Sequence, residues 1–454
     1  METETQGLKE VPMDILIGIL LICSFVGMVI FCIKGHNLMV GFFIMATIWT
    51  VLPIIGNLIS PNEVFAGMTI TDMLKTVYQT APEKYGASLM NIFLGAFFGR
   101  ILLDTGIAST IIRKSVELGG DNPAIILAIV NLITGFIFTS MTGAGSVIAI
   151  AVIILPILFS IGIPKVIAFF SFTGSVAAGL FLNPINFAQY SAFFLNSNGG
   201  AEYSYSDYFP FGILAFLVMI VVVSIAAMIY LRVESLTYAW AATKESKIMD
   251  APGISLITPF LPVVGVILLD LPVILCFILA SLYALAVCGV LKGGFREICR
   301  TVSRIFTEGV KDTSSLVAFW ITLAMFNDAA FFAAPYFEKI IGGIIPTAPL
   351  ALCILFGILA PLTWFKGPLS LIGSGAALLA VVSQTTNYPT TFLYPLFASV
   401  LIGMAHFDIT ISWNAWGLSF NRINAIDYMK VTFVPGIIVA LILEIANFLL
   451  NNPV

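Results

Sequence analysis

Apolar stretches of about 20 residues recur from one end of this chain to the other, and that recurrence leaves few folds open. A helix needs about 20 apolar residues to cross the roughly 30 Å hydrocarbon core of a bilayer. In hydrocarbon every backbone N–H and C=O must be satisfied internally, so chains of this kind span as helices. Of 454 residues, 59% are hydrophobic and only 10% charged, against about 25% charged in soluble domains. No stretch is polar and long enough to form a separate soluble domain. The expected fold class is therefore an all-α polytopic membrane protein.

The same landmarks occur twice along the chain. Asp104 is answered by Asp328, Pro123 by Pro346, Ser146 by Ser370, Pro164 by Pro389 and Asn183 by Asp408, at separations of 224, 223, 224, 225 and 225. Each series holds a polar, glycine-containing break, TSMTGAGS (139–146) and TWFKGPLS (363–370). A second break follows each, LFLNPINFAQ (180–189) and HFDITISWNAW (406–416). Spans are predicted near 14–33, 38–59, 87–112, 164–190 and 208–231, then 254–270, 272–291, 316–334, 389–407 and 430–450. Between them lie two helix–break–helix units, 122–161 and 346–385. An arm of about 16 residues rises about 24 Å, short of the bilayer core, so each unit reads as a re-entrant hairpin. Each half thus has about five transmembrane helices, one hairpin and a broken helix.

Charge sets the expected orientation. With the N-terminus outside, fourteen of the twenty Lys and Arg residues fall on the cytoplasmic side and four outside, with Arg100 and Lys366 within the membrane. That bias follows the positive-inside rule. Five spans and a hairpin make an odd number of crossings, so the second half is inverted. The expected organisation is a first inverted repeat over 1–231, a cytoplasmic linker over 232–253 and a second inverted repeat over 254–454, with both termini outside. The segment 292–311 spaces Arg296, Arg300 and Arg304 between apolar residues and reads as an amphipathic helix at the cytoplasmic surface. Its counterpart, 70–86, lies outside. The acidic start METETQGLKE is unlike a secretory leader, so 14–33 is expected to be retained. The six cysteines show no CxxC spacing and read as small buried hydrophobes.

Interrupted hydrophobic segments at matching places in two halves mark a carrier's binding site. At the tips, Thr142, Gly143, Gly145 and Ser146 in the first half and Lys366, Gly367 and Ser370 in the second are candidate substrate ligands. Their backbone amides and helix N-terminal dipoles suit a small anion, and Lys366 would be its point-charge partner. Oxygen-bearing side chains suit a hard coupling cation: Ser140, Asn183, Asn186 and Thr363, then Asp408, Thr410, Ser412 and Asn414. Arg100 and Asp104 are four apart and should pair. Asp328 has no basic residue four positions earlier and, with Asp408, is a candidate proton carrier. Trp364, Trp413 and Trp416 read as packing or cavity walls.

At FGRILLDTGIASTIIRK (98–114), the TSMTGAGS tip and the NPIN break, the sequence resembles the ion-transporter superfamily, specifically the citrate- and gluconate-type permeases related to four-carbon dicarboxylate carriers. The resemblance covers nearly the whole chain. It implies secondary active uptake of an organic anion such as citrate, gluconate or a dicarboxylate, coupled to sodium or protons. It also implies a homodimer, with a scaffold domain and a moving transport domain, in the bacterial cytoplasmic membrane. Neither tip carries the Ser-Asn-Thr signature of the sodium–dicarboxylate branch. No cofactor beyond possible sodium ions and no nucleic-acid partner are expected. The alternative within transport is a sodium/proton antiporter using Asp328 and Asp408. A channel would want rings of charge or carbonyls. The two histidines, His36 and His406, lie far apart, and no nucleophile–base motif points to an enzyme.

Overall fold

The computed structural model describes residues 13–453 except 35, 62–64, 66, 119–121, 195–202, 234–249, 342, 344, 373 and 374. Most of the expected linker, 232–253, therefore lies outside the described residues. Those described form helices joined by turns, with no strand among them.

The first half opens with α1 (Met13–Ile33) and α2 (Leu38–Ile59). Asn37 starts α2 by accepting from the Met39 and Val40 amides, groups that have no partner within the helix. Next come α3 (Ile70–Lys75), a π-helical turn (Thr76–Thr80), α4 (Ala81–Lys84) and α5 (Gly86–Asp104). Thr69 and Asp72 cap α3 reciprocally, a capping box written in the sequence. A short α6 (Ile107–Leu118) follows, then α7 (Pro123–Phe138) and α8 (Ala144–Ser160). The pair α9 (Lys165–Phe181) and α10 (Pro184–Ser191) precedes the long α11 (Tyr205–Val233).

The second half begins after residues 234–249. A 3-10 segment (Gly253–Phe260) leads into α12 (Leu261–Leu269), α13 (Val273–Val287) and α14 (Phe295–Ile341). Then come α15 (Pro349–Leu359), a 3-10 segment (Ala360–Lys366) and α16 (Gly375–Thr386). The chain ends with α17 (Thr390–Gly403), a 3-10 turn (Ala405–Phe407), α18 (Ser412–Asn421) and α19 (Ala425–Asn451). Seven helices among the described residues are long and apolar enough to cross a membrane, or eight if α9 and α10 form one broken span. The protein is an all-α polytopic membrane protein.

The structure departs from the sequence expectations in four places. The span expected over 87–112 ends at Asp104, because the chain turns at Gly106 in the left-handed region (φ 73°) before α6 begins. The surface helix expected at 292–311 is the first part of α14, which runs unbroken for 47 residues. At 1.5 Å per residue that is about 70 Å, more than twice the bilayer core. Its basic part is held along α5, where the Phe97 and Phe306 rings lie 5.3 Å apart and Arg304 pairs with Asp104 at 3.1 Å. The arm expected to start at Ser370 starts at Gly375 instead. Ahead of it Ser370 N donates to Gly367 O, and Gly375 N donates to Ser370 O. Finally, Asp328 is not unpaired, since its Oδ2 lies 3.1 Å from Lys84 Nζ.

Burial sorts the helices by role. In the segment Thr390–Asn421, 94% of the most apolar stretch is buried inside the protein, against 39% for α11 and for α19. α9 is buried almost throughout. The two interrupted helices thus run through the middle of the bundle, where freed backbone groups are shielded from lipid. α11 and α19 present apolar side chains outward, Ile225 and Ile229 on one and Val434 and Leu449 on the other.

Candidate functional site

Each hairpin tip is tied to the break of the interrupted helix that follows it. In the first half, α9 and α10 meet at 72° around Asn183. Asn183 Oδ1 accepts from the Ile185 and Asn186 amides, capping α10 ahead of Pro184. Its Nδ2 donates at 3.0 Å to Phe138 O and at 3.0 Å to Met141 O, the carbonyls left open where α7 stops. One buried side chain therefore satisfies four backbone groups and clasps the tip to the break. In the second half the work is shared. Asn414 Nδ2 donates to His406 O and Asp408 O, Asp408 Oδ1 accepts from Thr410 N and Oγ1, and Trp364 Nε1 donates to Met404 O.

The tips carry the strained backbone of the site. Gly143 sits at φ 90°, ψ 158°, a conformation essentially confined to glycine, and lets α8 start directly at Ala144. Phe365 and Lys366 are consecutive non-glycine residues in the left-handed region, at φ 56° and 58°. Such residues cost about 1–3 kcal/mol each and persist where the surroundings enforce them.

Both tips and both breaks reach one cavity of about 120 Å³. Thr142 and Gly143 come from the first tip and Ile372 from the second. Asn186, Gln189 and Tyr190 come from α10, His406 and Trp413 from the second break, and Phe319 and Trp320 from α14. The wall is mostly aromatic and aliphatic, with a few polar atoms. Several of those polar atoms are donors lacking a protein partner. Gln189 Nε2 and Trp320 Nε1 are buried and unpaired, and neither His406 ring nitrogen reaches hydrogen-bond geometry with the nearby Leu401 and Ile402 carbonyls. Buried polar groups are normally satisfied, so these unpaired atoms set the cavity apart from the rest of the core.

The remaining sequence candidates divide by place. Lys366 is buried, 8% exposed, and acts electrostatically on His406, but does not itself line the cavity. Gly367 closes the turn by donating its N–H to Trp364 O, and Ser370 Oγ is buried without a hydrogen-bond partner. Gly145 faces Asp312 of α14, and Ser146 Oγ faces Gly99 of α5. Ser140 and Thr363 turn their hydroxyls back onto their own helices, to Ile137 O and Ala360 O. Thr410 and Ser412 are exposed. Asp408 Oδ2 and Asn414 Oδ1 are buried acceptors without partners at the second break. They are the groups there that could hold a cation.

Gln189, Tyr190, Phe319 and Trp320 were not among the sequence candidates. A signal for two of them existed: Asn186, Gln189 and Tyr190 fall three and four apart on one face of α10. Nothing in the sequence pointed to Phe319 or Trp320, which reach the cavity only because α14 packs against both halves.

This arrangement is a polytopic helical membrane fold, with two interrupted helices and two hairpin tips meeting at a central cavity. Among solved structures the chain is similar to the YdaH transporter of Alcanivorax borkumensis, whose crystal structure is described as revealing an unusual topology. The TM-score is 0.63 at 12% sequence identity, covering 91% of this chain and 97% of that one. No protein-family model matches the chain. No curated protein matches it either. The likeness supports the transporter fold and does not extend to the citrate- and gluconate-type permeases.

Proposed function

We propose that this protein is a secondary active carrier for a small organic anion, such as citrate, gluconate or a dicarboxylate, coupled to sodium or protons. The observation that supports it best is the central cavity, with the unpartnered donors Gln189 Nε2 and Trp320 Nε1 on residues that line it. A carboxylate accepts several hydrogen bonds and donates none, so it matches a donor-rich wall. Buried Lys366 adds a positive charge beside His406. The backbone amides at Thr142 and Gly143 complete the anion side.

The coupling ion would sit at the second break, where Asp408 and Asn414 keep buried acceptor oxygens in reserve. The two halves would be inverted repeats, and the hairpin-bearing part would move between faces of the bacterial cytoplasmic membrane in a homodimer, with both termini outside. The antiporter alternative uses Asp328 and Asp408 as exchange carboxylates.

The test is thermal stability of detergent-purified protein against a panel of small carboxylates in sodium or choline. A ligand specific to the folded state adds about 2.7 kcal/mol at a hundred times its dissociation constant. Stabilisation by one carboxylate is expected, and Lys366→Ala should remove it along with uptake. Stabilisation by sodium alone, with every carboxylate silent, would transfer the assignment to the antiporter.

A further inference from the structure

Outside the cavity, one ionisable group is sealed in the bundle with no counterpart in the other half. Glu444 on α19 is completely buried, and apart from the weak Cys353 thiol its carboxyl oxygens have no hydrogen-bond partner. The titratable neighbour facing it is the buried Cys353 thiol of α15, with Asn447 beside that thiol and Tyr388, at the foot of α17, beyond it. Among the described residues no lysine, arginine, aspartate or histidine of the helices packed on α19 acts on it. An unpaired carboxylate here would lack both water and a counter-charge, at a cost of several kcal/mol. The group therefore carries its proton in this conformation.

The first half shows that the fold does not need a carboxyl at this place. At the corresponding positions of α11, the 224- and 225-residue offsets put Ile220 and Met219. The polar residues nearby are neutral and satisfied: Asn131 donates to Ser224 at 3.1 Å and accepts from Ser171 at 2.7 Å. At those offsets the first half thus carries apolar side chains where the second half carries an acid. Its location adds the consequence. α15 is the first arm of the second hairpin, and it lies so close to α19 that a Cβ at Gly357 would stand 3.1 Å from Leu441 Cα. Parting α15 from α19 would uncover the face of α19 that bears Glu444.

We propose that Glu444 is a proton-binding site of the transport cycle, protonated while α15 is packed on α19 and releasing its proton to water when the hairpin moves away. The site lies apart from Asp408 and rests on the carrier reading only for its role in coupling.

Two measurements separate the proton site from the carrier reading. Infrared spectra of purified protein at neutral pH should show the carbonyl stretch of a neutral carboxyl group that is lost in Glu444→Gln. Identical spectra would overturn the assignment whether or not the protein transports anything. In proteoliposomes, an inward proton gradient should speed wild-type carboxylate entry several-fold. Glu444→Gln should abolish that acceleration and retain exchange of labelled for unlabelled carboxylate. Acceleration equal to wild type in the variant would overturn the coupling role. A wild type that moves no carboxylate would instead overturn the carrier reading, and the infrared band would still decide the proton site. Should Glu444→Gln not fold, Glu444→Asp carries the test: the carbonyl band must shift in frequency, and an unshifted band overturns the proposal.

Discussion

Lys84 Nζ lies 3.1 Å from Asp328 Oδ2, an ion pair joining the end of α4 in the first half to α14 in the second. It has a mirror image: Arg304 of α14 lies 3.1 Å from Asp104, the residue 224 positions before Asp328. In each case the aspartate of one half pairs with a cation on the amphipathic segment of the other. Asp328 is 2% exposed, so removing Lys84 takes the cation from a buried carboxylate. Lys84→Ala is expected to cost about 3–5 kcal/mol. Breaking the exposed Lys311–Glu308 pair by Lys311→Ala should cost under about 1 kcal/mol. Chemical denaturation of the two variants makes the comparison; equal small losses would mean that the Lys84 pair does not brace the halves.

Asn183 offers a test of the clasp. Alanine there frees two carbonyls and two amides at once, for an expected loss of about 2–4 kcal/mol. Asn186→Ala, which removes a single bond to Leu180 O, should cost about 1 kcal/mol. Thermal melts of both purified variants decide; a milder effect at Asn183 than at Asn186 would refute the clasp.

The cavity donors should matter to ligand and hardly at all to folding. Gln189→Leu and Trp320→Phe each remove an N–H that has no partner in the protein. A hydrogen bond to a charged group is worth about 1.5–3 kcal/mol, so each variant should weaken carboxylate binding about 10- to 100-fold. Titration calorimetry reads the affinity, and unchanged melting temperatures confirm that the fold is intact.

Asp408→Asn should separate the coupling ion from the backbone it supports. Asparagine keeps an oxygen for the Thr410 amide but removes the charge next to the unpartnered Asn414 oxygen. The expected outcome is uptake that no longer responds to the cation gradient while the protein remains folded. Uptake with full cation dependence would move the coupling site elsewhere.

The sequence by itself determined the membrane class, the two matched pairs of breaks and most helix starts. These are local or compositional properties. Apolar length defines a span, and Asn37, Asn122, Asn183 and Asn424 each cap the helix they precede through their own side chains. Gly143 and the LFLNPINFAQ break were legible for the same reason, because their backbone demands are written at those positions. Tertiary structure alone decided which polar groups face one another. Asp328 looked unpaired because its cation, Lys84, is 244 positions away. Trp320 looked like any apolar-helix residue until α14 crossed both halves and brought its N–H to the cavity. Glu444 gave no periodic signal, and its burial depends on α15 closing over α19. A bilayer forces each helix to satisfy its own backbone locally. Side chains are satisfied by whichever helix packs alongside, and packing brings together residues that are hundreds of positions apart.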